Sequence, residues 1–295
     1  MKKCQNCSND NSLETNFCIY CGNSFIMQCS PCDFSNGFCV ECGKKEISFS
    51  LTQTVDEKLA CISDIGRRHK TNQDYAGVKT FSDGTTLLVV ADGVSTAFNS
   101  EEAAKLAVST VMQYVEGKPT TTETLAQAIY AAHDKIIKMT YQEIPELVEP
   151  MCTIVVTAVK DNKVFVSWVG DSRAYVFSDK KAQLLTTDDS WVSDAVKHGL
   201  SEEEALKSIH SHEITQCLGT RDEEPLANVL EHVVKPGDTI MLCSDGLWNY
   251  FKNPQDMQKY VSHDMQETCK KFVLYANSSG GHDNISVACF LVNSQ

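Results

Sequence analysis

The stretch Thr85-Thr-Leu-Leu-Val-Val-Ala-Asp-Gly93 carries an almost unbroken apolar run straight into an Asp-Gly turn. A run without polar alternation suits a strand buried on both faces, and its end places a carboxylate where the chain must turn. Four more aspartates sit where an apolar run breaks: Asp74 in Thr71-Asn-Gln-Asp74, Asp171 in Gly170-Asp-Ser-Arg173, Asp245-Gly246 after Ile240–Ser244, and Asp283-Asn284 after Gly280-Gly-His282. A lone Asp-Gly is a common turn signal and nothing more. Five such acids together lay out an acidic centre assembled from strand ends. Carboxylate oxygens bind hard divalent cations, and two such ions can clamp a phosphate and activate the water that attacks it.

Strand and helix signals surround these turns. Ile47, Phe49 and Leu51 alternate as in a strand. Ala104, Ala107, Val108, Val111 and Val115 predict a helix capped by Asn99 or Ser100. Thr120 and Glu123 have capping-box spacing and open a second helix with Leu125, Ile129, Ala132 and Ile136 turned inward. A meander of strands is expected over Cys152–Lys160, Lys163–Val169, Arg173–Ser178 and Ala182–Thr187, with turns at Asp161-Asn162 and Asp179-Lys180. Residues 188 to 225 interrupt the strands. A helix over Ser190–His198 stops at Gly199, and Ser201 with Glu204 caps a shorter one. This polar insertion reads either as a flap that touches substrate or as a solvated hairpin, with His210 and His212 as surface or hydrogen-bonded residues rather than ligands. Thr239–Ser244 returns to the sheet, Asn253-Pro254 starts a helix, and Asn284–Val292 is the last strand. The fold class is α+β, with antiparallel sheets covered by helices.

With 295 residues, 42% of them hydrophobic, the chain can build one large domain and something small beside it. A formal net charge of −13 with no basic stripe argues against nucleic acid or an anionic membrane as partner. Cys4-Gln-Asn-Cys7 follows Met1-Lys-Lys where a signal peptide would have its apolar core, and no apolar run approaches membrane-spanning length. A cytoplasmic location is expected.

Eight of the 14 cysteines form four Cys-x-x-Cys pairs within the first 42 residues. Two consecutive pairs supply the four thiolates of a structural zinc. Residues 1–46 are therefore expected to be two tandem zinc ribbons, one built on Cys4, Cys7, Cys18 and Cys21, the other on Cys29, Cys32, Cys39 and Cys42, together holding two Zn2+. Redox-active dithiols are the alternative, against which no strand-helix pattern surrounds the pairs. This segment holds Lys2, Lys3, Lys44 and Lys45 against five acids, and thiolate-bound zinc adds further negative charge, so the ribbons are expected to dock protein rather than nucleic acid. Cys61, Cys152, Cys217, Cys243, Cys269 and Cys289 stand singly and read as small buried hydrophobes.

Seven segments in order carry a resemblance. They are Ser63-Asp-Ile-Gly-Arg-Arg-His-Lys-Thr-Asn-Gln-Asp74, Leu88-Val-Val-Ala-Asp-Gly93, Cys152-Thr-Ile-Val-Val156 with Trp168-Val-Gly-Asp-Ser-Arg-Ala-Tyr175, Leu185-Thr-Thr-Asp-Asp-Ser190, Ile214-Thr-Gln-Cys-Leu-Gly219, Pro236-Gly-Asp-Thr-Ile-Met-Leu-Cys-Ser-Asp-Gly-Leu-Trp248, and Gly280-Gly-His-Asp-Asn-Ile-Ser286. Together they resemble the signature of the metal-dependent protein phosphatases, the protein phosphatase 2C family, in its bacterial form, over about residues 60 to 292.

The resemblance implies a catalytic domain over residues 47–295, built as a central sandwich of two antiparallel β-sheets flanked by helices. It implies hydrolysis of phosphoserine and phosphothreonine in proteins, the substrates of a serine/threonine kinase, with two or three Mn2+ or Mg2+ ions. By the same resemblance Asp92 bridges two ions, the Gly93 carbonyl binds one of them, Asp74, Asp245 and Asp283 complete the shells, and Asp171 holds a third, weaker ion. Three positions depart from the family pattern. Gln73 replaces an acid in Asn72-Gln73-Asp74, Val94-Ser95-Thr96 offers no histidine after Gly93, and His69 stands where an arginine usually grips the phosphate. The second function class compatible with the sequence is a zinc-ribbon binding or regulatory protein whose large domain is catalytically weak.

Overall fold

The computed structural model describes residues 1–4, 9–12, 25, 34–35, 38–39, 49–139, 149–179 and 181–292. The chain divides into two units, Met1–Ser48 and Phe49–Gln295. In the first, β1 (Lys2–Lys3) pairs with β2 (Asp10–Asn11), and β3 (Phe34–Ser35) pairs with β4 (Phe38–Cys39), both antiparallel. Cys4 is buried directly after β1, and Cys39 is the last residue of β4. Cys7, Cys18, Cys21, Cys29, Cys32 and Cys42 lie outside the described residues, and the expected zinc ribbons with them.

The second unit is a sandwich of two antiparallel sheets. Its elements run β5 (Leu51–Asp56), β6 (Leu59–Asp64), β7 (Asp74–Thr80), β8 (Thr86–Gly93), α1 (Ser100–Val115), α2 (Thr122–Ile136), β9 (Cys152–Lys160), β10 (Lys163–Val169), β11 (Arg173–Ser178), β12 (Lys181–Leu184), α3 (Trp191–Lys197), α4 (Glu202–Ala205), β13 (Asn228–Val233), β14 (Thr239–Cys243), α5 (Asp245–Trp248), α6 (Met265–Ser278) and β15 (Ile285–Leu291). A 3-10 turn over Pro254–Tyr260 follows Asn253. One sheet has the order β13-β10-β9-β8-β7, the other β12-β11-β14-β15-β6-β5.

Side-chain alternation explains the layering. Along β8, Leu88 and Val90 point between the sheets and meet Leu59, Cys61, Leu242 and Ala288 from the opposite one. Leu87, Val89 and Ala91 point the other way, onto the alanine-rich faces of α1 and α2. On the second sheet, Ile62, Met241, Val287 and Cys289 face outward onto Phe272, Val273 and Ala276 of α6. Both faces of the central strands are thus dry, which is why those strands read as continuous apolar runs. Each fully buried Val, Leu or Phe contributes roughly 1.5–3 kcal/mol, so the layers hold the strand ends, and the acids on them, rigidly in register.

Two expectations are corrected. The strands after Cys152 are not one meander. β10 pairs with β9 and β13, whereas β11 pairs with β12 and β14, so the chain crosses from one sheet to the other at Gly170-Asp171-Ser172. Gly170 has φ +102°, and a Cβ there would lie 2.6 Å from the Thr153 side chain, so the crossing demands glycine. The cap of α2 is Thr121, whose hydroxyl accepts from the Thr124 amide at 3.1 Å. Thr120 instead shares a hydrogen bond with Thr85 at 2.9 Å, and Glu123 accepts from Gln127, so no capping box forms there. Three successive threonines make that register hard to read. The flap follows expectation more closely. Ser190 caps α3, His198 and Gly199 end it, and Ser201 and Glu204 form both halves of a capping box on α4.

Candidate metal centre

The five aspartates gather at one end of the sandwich because the strands that carry them are paired there. Asp74 opens β7 and lies directly opposite Asp92 near the end of β8, and Asp92 in turn lies opposite Thr153 of β9. Asp171 sits on the sheet-to-sheet crossing. Asp245 begins α5 as β14 ends, and Asp283 precedes β15, whose first turn pairs with the end of β14 through Cys243 and Val287. Asp92, Gly93, Asp171, Asp245 and Asp283 line one cleft of about 140 Å³, with Val94, Ser95, Thr153, His212 and Ile214 completing its wall. Asp74 is buried behind them, 3% exposed.

The charges are arranged at a cost that calls for a cation. Burial pushes the Asp74 carboxyl up to about 7 and Asp245 up to about 6; Asp245 adds to the first and Asp283 to the second, while the neighbouring Asp92 carboxyl opposes the rise in both. Asp92 is driven well above the usual carboxylate range by burial and then by Asp74, Asp245 and Asp171. Asp171 is raised likewise by burial, Asp245 and Asp188. The cleft edges of Asp92, Asp171 and Asp245 are half-exposed, so water tempers these shifts without reversing them. Asp74 and Asp92 lie close enough to share a proton, yet Asp74 Oδ1 is buried with no hydrogen-bond donor. Two facing carboxylates are satisfied only by a shared proton or by a cation. The donors are all oxygen, the preference of Mg2+ and Mn2+. Among the described residues no three acid, histidine or cysteine side chains are already drawn up as a metal cage. The fit therefore rests on the unsatisfied oxygen and the crowding of acids.

Surrounding residues fix the acids in place. Asn284, 3% exposed, accepts from the Gln73 amide at 2.8 Å and donates to the carbonyls of Ile65 and Thr71, clamping the loop that delivers Asp74. Gly93 packs against backbone: a Cβ there would lie 2.7 Å from the carbonyls of Gln73 and Ser100. The Gln73 side chain donates to the Ser100 hydroxyl at the start of α1, so its amide ties strand to helix. His69 Nε2 lies 3.2 Å from Asp283 Oδ1. The Arg67 amide donates to the Gly281 carbonyl at 2.8 Å, holding that basic segment beside Asp283. Asp189 accepts from the Gly170 amide and from Asn228, which pins the crossing that carries Asp171. The Asp171 carbonyl accepts from Trp248 Nε1, and Arg173 both pairs with Asp188 and stacks on the Trp248 ring.

Sequence reasoning missed several of these. His210 pairs with Glu213 at 2.6 Å, as a hydrogen-bonded residue should, but His212 lines the acidic cleft. Asn284, Ser244, Ser63 and Ser286 were visible only as neighbours of the acids, although each is buried.

A sandwich of two antiparallel sheets, helices on both outer faces and a nest of acids at one end define a metal-dependent hydrolase of the kind whose substrate is a phosphate ester. Residues 66–273 match the family described as protein phosphatase 2C. Protein phosphatase PhpP of Streptococcus pneumoniae is 28% identical over 249 residues, covering 81% of this chain and 98% of its own length. Serine/threonine phosphatase Stp of Listeria monocytogenes is 30% identical over 236 residues, covering 76% and 92% respectively. Among solved structures, the serine/threonine phosphatase of S. agalactiae superposes with a TM-score of 0.71 at 26% identity, over 80% of this chain and 99% of that one. The chain belongs to the protein phosphatase 2C family.

Proposed function

We propose that this chain is a serine/threonine protein phosphatase whose reaction takes place in the acidic cleft. Its relatives' names and its family both carry that activity. The observation that supports the site is the convergence of buried carboxyls around Asp74 Oδ1, an oxygen left without a donor. Asp74, Asp92, Asp245, Asp283 and the Gly93 carbonyl would hold two Mn2+ or Mg2+ ions, with Asp171 for a third. The catalytic domain of the phosphatase PstP, alike in fold at a TM-score of 0.66 and 24% identity, was solved with two manganese ions. When bound, such ions clamp the phosphate and lower the pKa of water toward about 7.

The protein's own part is positioning and charge. Ionised acids crowded in one cleft would repel a phosphate dianion, so substrate binding would depend on cations that offset their charge. Asp92, paired between Asp74 and Thr153 in the sheet, would be the acid shared by the two ions. His69 is assigned the phosphate contact, with Arg67 as its rival on the same exposed loop, and Asp283 orients the imidazole. The zinc-ribbon module of residues 1–46, proposed on the spacing of Cys4, Cys7, Cys18, Cys21, Cys29, Cys32, Cys39 and Cys42, would dock protein, with residues 47–295 as the catalytic domain. Among the described residues no helix is long and apolar enough to cross a membrane. A reducing cytoplasm suits the thiol-rich composition.

The test is phosphate release from an aryl phosphate and from a phosphothreonine peptide, with Mn2+ and with chelator. Release from both in Mn2+ and from neither in chelator supports the reading. Intact substrates under both conditions favour the alternative, a catalytically weak binding protein.

A further inference from the structure

A serine at the start of a helix ordinarily turns its hydroxyl back to cap the helix's own amides. Ser244, the N-cap of α5, makes no such bond. It is wholly buried, and its Oγ lies 2.7 Å from Asp74 Oδ2, 170 residues away in sequence. The same Oγ accepts from the Ser286 backbone amide at 3.0 Å, and the Ser244 amide donates to the Ser286 carbonyl at 3.1 Å. With a lone pair committed to that N–H, the single hydroxyl proton has one direction left, toward Asp74 Oδ2. The amide is part of the backbone, so this polarity cannot be reversed by a side-chain rotation. One oxygen of Asp74 is therefore occupied by a fixed donor while the other, Oδ1, is left without one. The Ser286 hydroxyl also lies beside the Asp74 carboxyl, but its proton goes to Ser63 Oγ, which also receives Asn72 Nδ2, each at 2.8 Å.

We infer that Ser244 is a positioning residue for the metal centre: by holding Asp74 Oδ2 with a donor of fixed direction, it presents Oδ1 to the divalent cation. A carboxylate oriented in advance loses less freedom when it binds, and groups that hydrogen-bond metal ligands from outside typically govern about 10- to 100-fold in metal affinity. Substituting Ser244 would leave Asp74 free to rotate and to pair both oxygens within the acid cluster. The inference rests on the assignment of Asp74 to the metal centre, and the experiment separates the two.

The experiment is Mn2+ titration by isothermal calorimetry of the full chain after dialysis to remove loosely bound metal, for the wild type and for Ser244→Ala, Ser244→Cys, Ser167→Ala and Asp92→Asn. Ser244→Ala should weaken Mn2+ binding by about tenfold or more. Ser244→Cys, similar in shape with a weaker donor, should fall between it and wild type. Ser167→Ala, which removes an equally buried hydroxyl that donates to the Asn228 carbonyl and not to Asp74, should bind Mn2+ like wild type. Wild-type affinity in Ser244→Ala overturns the inference, and so does an equal loss in Ser167→Ala, since that marks general loosening of the sheets. If Asp92→Asn binds Mn2+ as the wild type does, the metal-centre assignment itself fails and takes the inference with it.

Discussion

Raising the pH from 5 to 7 should destabilise the metal-depleted protein, the reverse of what an ordinary salt-bridged aspartate produces. Asp74 loses its proton near 3.8 in the unfolded chain but holds it to about 7 in the fold, because burial and then the nearby Asp245 charge oppose ionisation. Between those values the unfolded state binds fewer protons than the native one, so stability falls as pH rises. The contribution is fully present below about 3.8 and gone above about 7. At 1.36 kcal/mol per unit, the two units from pH 5 to 7 correspond to about 3 kcal/mol. For a domain of this size that is about 6–12 °C in melting temperature. Differential scanning calorimetry of dialysed protein measures it directly. Saturating Mn2+ at pH 8 should restore the loss, since a cation replaces the missing protons, and Asp74→Asn should shrink the slope and raise stability at pH 8. Stability that climbs from pH 5 to 7 without metal, or an unchanged slope in Asp74→Asn, refutes the reasoning.

Other outcomes follow from particular contacts. Gly93→Ala should cost roughly 1–3 kcal/mol, because its Cβ would press on the Gln73 and Ser100 carbonyls at 2.7 Å, and denaturant melts should show it. Asp171→Asn should keep tight Mn2+ binding while lowering turnover, a separation that calorimetry and steady-state kinetics reveal together. His69→Arg should lower KM above neutral pH if His69 grips phosphate; if it and His69→Ala behave like wild type while Arg67→Ala loses substrate affinity, the contact belongs to Arg67. Elemental analysis of protein purified without added metal should find about two zinc per chain by the count of four thiolates per ion, and a content near zero removes the ribbons.

Much of this was legible in the sequence. The acids at Asp92 and Asp245 announced themselves because an apolar strand that stops at Asp-Gly leaves few other readings, and both strands appear within a residue or two of the expected ends. The crossing at Gly170 was not legible. Strand, turn and strand look the same whether the second strand pairs with the first or leaves for the other sheet, and only the pairing of β11 with β12 and β14 shows which occurred. Ser244, Ser286 and Ser63 were overlooked because serine is ordinarily a surface or capping residue. Their burial follows from pairing between segments more than 40 residues apart. His212 reads as a loop histidine until the flap is seen to return against the acids through Ile214 and Thr215.

Asp92 is the acid on which the proposed reaction depends most directly. Phosphate release from a phosphothreonine peptide, measured in saturating Mn2+ for wild type and Asp92→Asn of matched thermal stability, should show steady turnover in the first and background in the second. Equal rates in the two proteins would contradict a reaction carried by metal ions at this cleft.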